Sequence, residues 1–585
     1  MDTRANNVKK ALPVLMVGAL LALYPVVSGS FGIDLATKIM VYAIYALSLE
    51  LLVGSTGLVC FGHAAFFGLG GYATVLLAPQ SDAASLWWLL PAAMGTAALY
   101  ALFMGALSLR TKGVYFIMVT LAFAQMAYYV VHDTPLGGGT DGIYLNSGKP
   151  VAALGSWVLI DLDRPLTLYY FVLGSLAATF FFLAVLLRST FGRALAGIKA
   201  NEQRMRATGF STYPYKLAAF VVSGALAGLA GFLFAVKDAY VNPELLSWHQ
   251  SGSVLIMIIL GGLGHLRGAV LGAFAFALLQ ELFRSEAIFG AFAKHWHLGL
   301  GLTIIVCVAV LPRGLIGLSK LFKRRLAGTP KEAAHAKPEV FLRGRDITQR
   351  WGGLVALDSV SIELERGAIH AVIGTNGAGK STLINILSGE FKPTQGRVEL
   401  LGEDVTAWQQ PRRARAGLGR SYQRNTIYPG FSVFENCRLA AQATRQRPWR
   451  WWSDATHDPV THEHALQAAT RAGLDGLLER EAGLLSHGQK RQLEVAMCLA
   501  TRPQVLLLDE PLAGMGAEET DRMLALLAQL RTDHAILLVE HDMDAVFRVA
   551  DRITVMVNGA VLASDAPASV RNNPEVRAAY LGEHA

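Results

Sequence analysis

Hydrophobic positions change their pattern near residue 319. Before it, apolar residues come in long blocks with few charges; after it, apolar runs of strand length alternate with helical periodicities. A helix needs about 20 mainly apolar residues to cross a bilayer, because lipid offers backbone N–H and C=O groups no partner. Ten blocks qualify as candidate spans: roughly 11–28, 34–53, 58–79, 86–109, 113–131, 167–187, 216–236, 250–266, 268–283 and 297–312. The eighth and ninth are short and share the Gly-rich turn Gly261–Gly268, so they also read as one broken or re-entrant element. The first block follows Arg4, Lys9 and Lys10 and ends in small residues, as a secretory signal does. More spans follow at once, which favours an uncleaved first helix.

Ser319–Glu339 is polar, rich in small residues and carries Pro330 and Pro338, the composition of a flexible tether. The alternation beyond it predicts α/β architecture. The expected organisation is therefore a polytopic α-helical membrane domain over 1–318, a linker over 319–339 and an α/β domain over 340–585.

Composition sharpens this division. Of the 585 residues, 53% are hydrophobic and only 16% charged, against about 25% in an average soluble domain. That excludes disorder and disfavours an all-soluble chain. Residues 1–329 hold 23 Lys and Arg against 13 Asp and Glu (+10), and residues 330–585 hold 29 against 31 (−2). The basic excess thus belongs to the apolar half, where it punctuates hydrophobic runs rather than forming the water-facing patch that nucleic acid requires. Positive charge marks the cytoplasmic side of spans. With the N-terminus inside and ten spans threaded, 17 of the 23 basic residues fall on the cytoplasmic side, and the chain returns there before residue 330.

Cys60, Cys307, Cys437 and Cys498 have no metal-ligand spacing and predict no disulfide framework. His63 lies inside an apolar run. It reads either as a functional intramembrane group or as a neutral, hydrogen-bonded structural histidine. The loop from Arg188 to about Tyr215 is too polar to span and reads as one or two short helices ending at Gly209. It is either a solvated loop or a docking element for the α/β half.

The α/β half carries the chemistry. Gly374, Thr375, Asn376, Gly377, Ala378, Gly379, Lys380 and Ser381, followed by Thr382, fit the phosphate-loop pattern, between the strand candidate Ala368–Ile373 and the helix candidate Ser381–Leu387. Glycines let backbone N–H groups curl round phosphates, and the helix N-terminus adds a favourable dipole. Lys380 is expected to reach the β- and γ-phosphates of ATP and Ser381 to hold Mg²⁺. Val505–Leu508 is a buried strand candidate ending in Asp509 and Glu510. Sheets of this class place ligands at that edge. Asp509 suits the Mg²⁺ shell and Glu510 suits polarisation of the attacking water.

Leu485, Ser486, His487, Gly488 and Gln489, before a helical run and the Asp509 strand, resemble the signature motif of ABC transporter ATPases. The resemblance extends in order through the chain. Gln423 matches the glutamine loop, whose side chain joins the Mg²⁺ shell, and His541 matches the switch histidine. Trp351 lies where the family stacks an aromatic ring on adenine. It implies that Ser486, Gly488 and Gln489 act on the ATP of a second cassette, and that Ala200–Gly209 contacts the Gln423 segment. His487 replaces a common glycine, and Ala513–Gly516 lacks a common aspartate; both variants are at home in branched-chain amino acid and urea transporter ATPases.

Gly57–Gly68, 192–209, Lys216–Gly231 and Leu260–Ala273 resemble the permease of leucine/isoleucine/valine importers, and the cassette resembles its partner ATPase down to Ala578–Gly582. The resemblance implies a fusion of two normally separate subunits in a bacterial inner membrane. It further implies a periplasmic substrate-binding protein, and either a second permease and second ATPase or a homodimer of fusions. Lipid is the surrounding partner and nucleic acid is not expected. Import of urea or short amides, a half-size exporter and a membrane-tethered ATPase regulator are the alternatives. The many spans and short cytoplasmic loops disfavour the last two.

Overall fold

The computed structural model describes residues 18–79, 83–146, 148–154, 157–310, 340–423, 426–445, 451–452 and 454–578. The expected tether, the start of the first apolar block and the terminal residues 579–582 lie outside them. Contacts divide the chain into two compact units, Met1–Arg188 with Tyr213–Lys323 and Ser189–Thr212 with Arg324–Ala585. The segment Ser189–Thr212 interrupts the first unit in sequence order but folds with the second.

The first unit is helical: α1 (Gly18–Val27), α2 (Ser30–Thr56), α3 (His63–Leu77), α4 (Leu86–Ser108), α5 (Val114–Asp133) and α6 (Pro165–Arg188). After α7 (Thr190–Ala200) and α8 (Glu202–Ala207), which belong to the second unit, come α9 (Thr212–Asp238), α10 (Trp248–Gly261), α11 (Leu266–Arg284), the short α12 (Glu286–Phe289) and α13 (Trp296–Val310). Two small antiparallel pairs join the loops: β1 (Ile143–Tyr144) with β4 (Tyr240–Val241), and β2 (Val151–Leu154) with β3 (Trp157–Asp161).

Among the described residues six helices, α2, α4, α5, α6, α9 and α11, are long and apolar enough to cross a membrane. This is a multi-pass membrane unit of several apolar helices, and among the described residues α1, α3 and α10 are apolar but shorter. Blocks 58–79 and 250–266 yield helices of only 15 and 14 residues. Glycines explain the shortening. Gly57 ends α2 with φ +75°, and a turn delays α3 until His63; Gly262, at φ +112°, ends α10. The α10–α11 pair is therefore a broken element around the Gly-rich turn. Its backbones approach so closely that a Cβ on Gly261 would sit 1.8 Å from the Gly268 carbonyl oxygen, a contact only small residues permit. Glu50 on α2 ties the turn down, its Oε1 accepting from the Gly264 N–H at 2.6 Å. His63 is fully buried, 2.8 Å from Ser48 Oγ through Nε2 and stacked on Tyr45. Its Nδ1, also buried, has no hydrogen-bond partner among the described residues.

The second unit contains β5 (Val340–Trp351), β6 (Leu354–Glu365), β7 (Ile369–Gly374), α14 (Lys380–Ser388), β8 (Gln395–Leu400), β9 (Glu403–Asp404), α15 (Gln410–Arg415) and β10 (Leu418–Arg420). Then follow α16 (Val433–Gln442), α17 (Pro459–Arg471), α18 (His487–Ala500), β11 (Val505–Asp509), α19 (Ala517–Leu530), β12 (Ala535–Val539), α20 (Met543–Val549), β13 (Arg552–Val557), β14 (Ala560–Asp565), α21 (Pro567–Asn572) and α22 (Pro574–Val576). A six-stranded sheet has the order β10-β11-β12-β7-β13-β14, parallel except for β14. A four-stranded antiparallel sheet has the order β6-β5-β8-β9. Strands buried on both faces read as unbroken hydrophobic runs, which is why Val505–Leu508 and Ala535–Val539 carry no alternation. Alternate side chains point to opposite faces. Val372 of β7 joins the core shared with α14 and the antiparallel sheet, while Ala371 and Ile373 join the smaller core with α20, α21 and β13.

Candidate functional site

β7 delivers the chain to the phosphate loop, and two glycines there are required by space. A Cβ on Gly374, at φ +157°, would lie 2.2 Å from the Met556 carbonyl oxygen; one on Gly379, at φ +96°, would lie 2.6 Å from that of Ala356. The loop turns directly into α14, so its first N–H groups face the loop's concavity, an arrangement that suits an anion. Lys380 Nζ donates to the carbonyls of Gly374 at 2.6 Å and Thr375 at 3.0 Å. Burial lowers the Lys380 pKa, with the Glu510 and Asp509 carboxylates opposing it.

Parallel register gathers the remaining groups at one sheet edge. Asp509 at the end of β11 pairs with Val539 at the end of β12, which pairs with Val372 just before the loop. Burial raises the Asp509 pKa, opposed chiefly by the Arg420 guanidinium. Glu510 follows at φ +48°, a sparsely populated conformation for a non-glycine residue, fixed by its N–H to the Val539 carbonyl at 2.8 Å. β10 ends beside β11 and carries Gln423 to the same edge, where Nε2 donates to Glu510 Oε2 at 3.1 Å. Glu540 continues β12. It is buried, its pKa raised by that burial, and it accepts from the N–H groups of Leu512 and His541 at 2.8 and 3.2 Å. His541 itself is largely exposed at this edge. Trp351 ends β5 half-exposed, with its ring edge-on to Phe391. Ser381, Gln423 and Asp509 present hydroxyl, amide and carboxylate oxygens. This hard-donor set fits Mg²⁺, which takes one or two carboxylates and leaves other positions to phosphates and water.

The signature residues form the start of α18. Ser486 Oγ accepts from the Gln489 N–H at 3.2 Å, and Gln489 Oε1 accepts from the Ser486 N–H at 3.0 Å, a reciprocal capping box. Ser486 Oγ also donates to Glu519 Oε1, and His487 Nε2 lies 3.1 Å from the Ala513 carbonyl. A Cβ on Gly488 would run into the Glu519 carboxylate. Among the described residues none of these three side chains bonds to the phosphate loop.

A set of buried arginines belongs to no sequence motif. Arg204 of α8 is wholly buried and donates Nη1 to the Arg420 carbonyl at 2.9 Å and Nη2 to the Glu494 carbonyl at 3.0 Å. Glu494 Oε2 pairs with Arg491 Nη1 at 2.8 Å, and its Oε1 accepts from the Thr426 N–H and hydroxyl. Arg491 in turn donates to the carbonyls of Tyr422, at 2.7 Å, and Gln423. A continuous bonded path thus runs from α8 through α18 to the glutamine that touches Glu510. Arg415 Nη1 to the Gly209 carbonyl and Gln442 Nε2 to the Thr190 carbonyl, at 2.9 and 2.8 Å, hold the rest of the inserted segment. In sequence, Arg204 looks like any positive charge of a cytoplasmic loop.

Comparison with known proteins assigns both units. Residues 32–309 match the family described as branched-chain amino acid transport system / permease component. Residues 357–513 match ABC transporter, and residues 560–585 match branched-chain amino acid ATP-binding cassette transporter. The high-affinity branched-chain amino acid transport ATP-binding protein BraF of Pseudomonas aeruginosa is 37% identical over 246 residues, 40% of this chain and 96% of that protein. LivG of Escherichia coli K12, of the same description, is 39% identical with the same coverage. A solved nucleotide-free ATP-binding cassette from an ABC transporter is 29% identical and covers 42% of this chain and 100% of its own, at a TM-score of 0.38. With an ATP-hydrolysing cassette and a helical permease unit both matched, the chain belongs to the branched-chain amino acid ABC transporter family, its permease and ATPase joined in one polypeptide.

Proposed function

We propose that this chain imports branched-chain amino acids across a bacterial inner membrane, with its cassette in the cytoplasm. One observation carries the reading: a permease and a cassette that match branched-chain amino acid transport families occupy a single polypeptide. A periplasmic binding protein delivers the substrate, and a second permease and cassette, or a second copy of this chain, complete the transporter.

In this reading Trp351 stacks on adenine while residues 374–382 cradle the phosphates. Lys380 steadies the β- and γ-phosphates by leaving its loop carbonyls for them. Ser381, Asp509 and Gln423 hold Mg²⁺, which neutralises phosphate charge. Glu510 orients and polarises the attacking water, and His541 contacts the γ-phosphate. Gln423 links that chemistry to transport, since its backbone is held by Arg491 and its side chain by Glu510. Ser486, Gly488 and Gln489 serve the partner cassette's ATP. Support for this comes from the side chains of Ser486 and Gln489, which among the described residues bond only to each other's turn and to Glu519.

The test is uptake of radiolabelled leucine by proteoliposomes holding the complete transporter, with and without binding protein. ATP-dependent accumulation only with the binding protein is expected. Efflux driven by ATP without it would overturn the importer reading.

A further inference from the structure

Within the permease unit, α2, α10, α11 and α13 line a half-open cavity of about 400 Å³, in the size range of small-molecule sites. Its wall carries charges of both signs. Lys38 lies eight residues into α2, about 12 Å along the helix axis, and Glu281 lies three residues before the end of α11. Among the described residues neither has a hydrogen-bond or ion-pair partner, so they do not satisfy each other across the cavity. A third charge, Arg284, is already engaged, its guanidinium 4.1 Å above the Trp296 ring. Met257 and Phe276 give the cavity an apolar wall, and Trp248 stands where α10 begins. An unpaired charge inside a spanning bundle is costly and marks a solute path more often than a packing site. Two such charges of opposite sign, held apart beside an apolar surface, ask for one ligand that brings both complements.

We propose that this cavity is a substrate site for an α-amino acid zwitterion with an apolar side chain. The ligand's ammonium pairs with Glu281, its carboxylate with Lys38, and its side chain rests on Met257 and Phe276. This deepens the importer reading and rests on it for the direction of travel. It also separates substrates that the sequence left open, because urea and short amides carry neither charge and would leave both Lys38 and Glu281 uncompensated.

The test needs neither ATP nor transport. Ser253 lines the same cavity. The full-length chain with Ser253→Cys, in lipid nanodiscs, is labelled with a small charged methanethiosulfonate, and labelling of the unsubstituted chain is subtracted. Leucine should slow labelling about threefold at twice its dissociation constant. Isovalerate, isoamylamine and urea, at the same concentration, should leave the rate unchanged. Glu281→Gln or Lys38→Met, added to Ser253→Cys, should abolish protection by leucine, and Glu281→Asp or Lys38→Arg should restore part of it. Equal protection by urea, no protection by leucine, or labelling governed by the phospholipid headgroup instead of by leucine would each overturn the proposal. Protection without uptake in proteoliposomes would sink the importer reading alone. Uptake without protection would sink the cavity alone.

Discussion

Arg204 Nη2 donates to the main-chain carbonyl of Glu494 at 3.0 Å, and its other terminal nitrogen serves the carbonyl of Arg420. One planar guanidinium thus closes two acceptors that lie 74 residues apart in the chain, between α18 and the strand leading to Gln423. Removing it takes from each buried carbonyl a charged donor, and the Glu494 carbonyl keeps only its place in the α18 ladder, a loss on the order of 1–3 kcal/mol. Arg204→Ala should therefore loosen the inserted segment while leaving the phosphate loop intact. Expected are a nucleotide affinity within about twofold of wild type and a leucine uptake rate lower by about tenfold or more, since roughly 1.4 kcal/mol is already tenfold. Arg204→Lys keeps the charge but lacks the fork, and should fall between the two. Uptake and ATPase falling in strict proportion would refute a coupling role.

The motifs at the sheet edge were legible because phosphate chemistry needs contiguous residues. A turn of glycines before Lys380 and a carboxylate pair after a buried strand announce themselves locally. Arg204, Arg413 and Arg491 bond to carbonyls distant in sequence, and any residue supplies a carbonyl, so no residue pattern betrays the pairing. The spans were half legible. Apolar blocks located the helices, but a sliding count of apolar residues cannot see that Gly57 and Gly262 adopt positive φ and cut α3 and α10 short. Lys38 and Glu281 belong to no motif and lie in separate apolar blocks, and only the fold sets them around one cavity.

Glu510 supplies the sharpest test of the chemistry. Its carboxylate sits at the sheet edge beside Gln423, on a backbone fixed by Val539. Glu510→Gln keeps the shape and the amide contact but cannot polarise water as a base does, a role worth about 10²–10⁴-fold. Turnover should drop by about that factor while ATP binding persists, as fluorescent-nucleotide titration would show. Lys380→Ala should do the reverse first, weakening nucleotide binding. Near-normal ATPase in Glu510→Gln would remove the residue from its assigned role.

Arg413 caps the helix that carries the phosphate loop. Fully buried, it donates Nη1 to the carbonyls of Ile386 and Leu387, each at 2.8 Å, Nε to Trp408 and Nη2 to Thr406. Burial lowers its pKa to about 10, so it remains charged at neutral pH. Arg413→Met should cost on the order of 1–3 kcal/mol for each buried carbonyl it leaves without a donor. The urea midpoint of the cassette in the full-length chain should fall accordingly, and ATP affinity should weaken because α14 loses its C-terminal anchor. A midpoint within experimental scatter of wild type would contradict this.

His370 makes the cassette sensitive to mild acid. It lies in β7 with Nδ1 2.9 Å from the Glu363 carbonyl and Nε2 2.7 Å from the Thr554 hydroxyl. A carbonyl only accepts, so Nδ1 carries the proton, and in the neutral ring Nε2 accepts from Thr554. Burial holds the ring's pKa down to about 4, against an ordinary 6.5, with the Glu363 carbonyl opposing and Arg552 adding to the fall. The unfolded chain therefore binds the proton first as pH drops. His370's contribution is complete above pH 6.5 and is lost as pH falls from 6.5 towards 4, by about 3 kcal/mol at most. Urea unfolding of the cassette in the full-length chain at pH 7 and pH 5 should show that loss. His370→Gln, which keeps a donor and an acceptor but does not titrate, should flatten it. An unchanged pH dependence in that variant would place the acid sensitivity elsewhere.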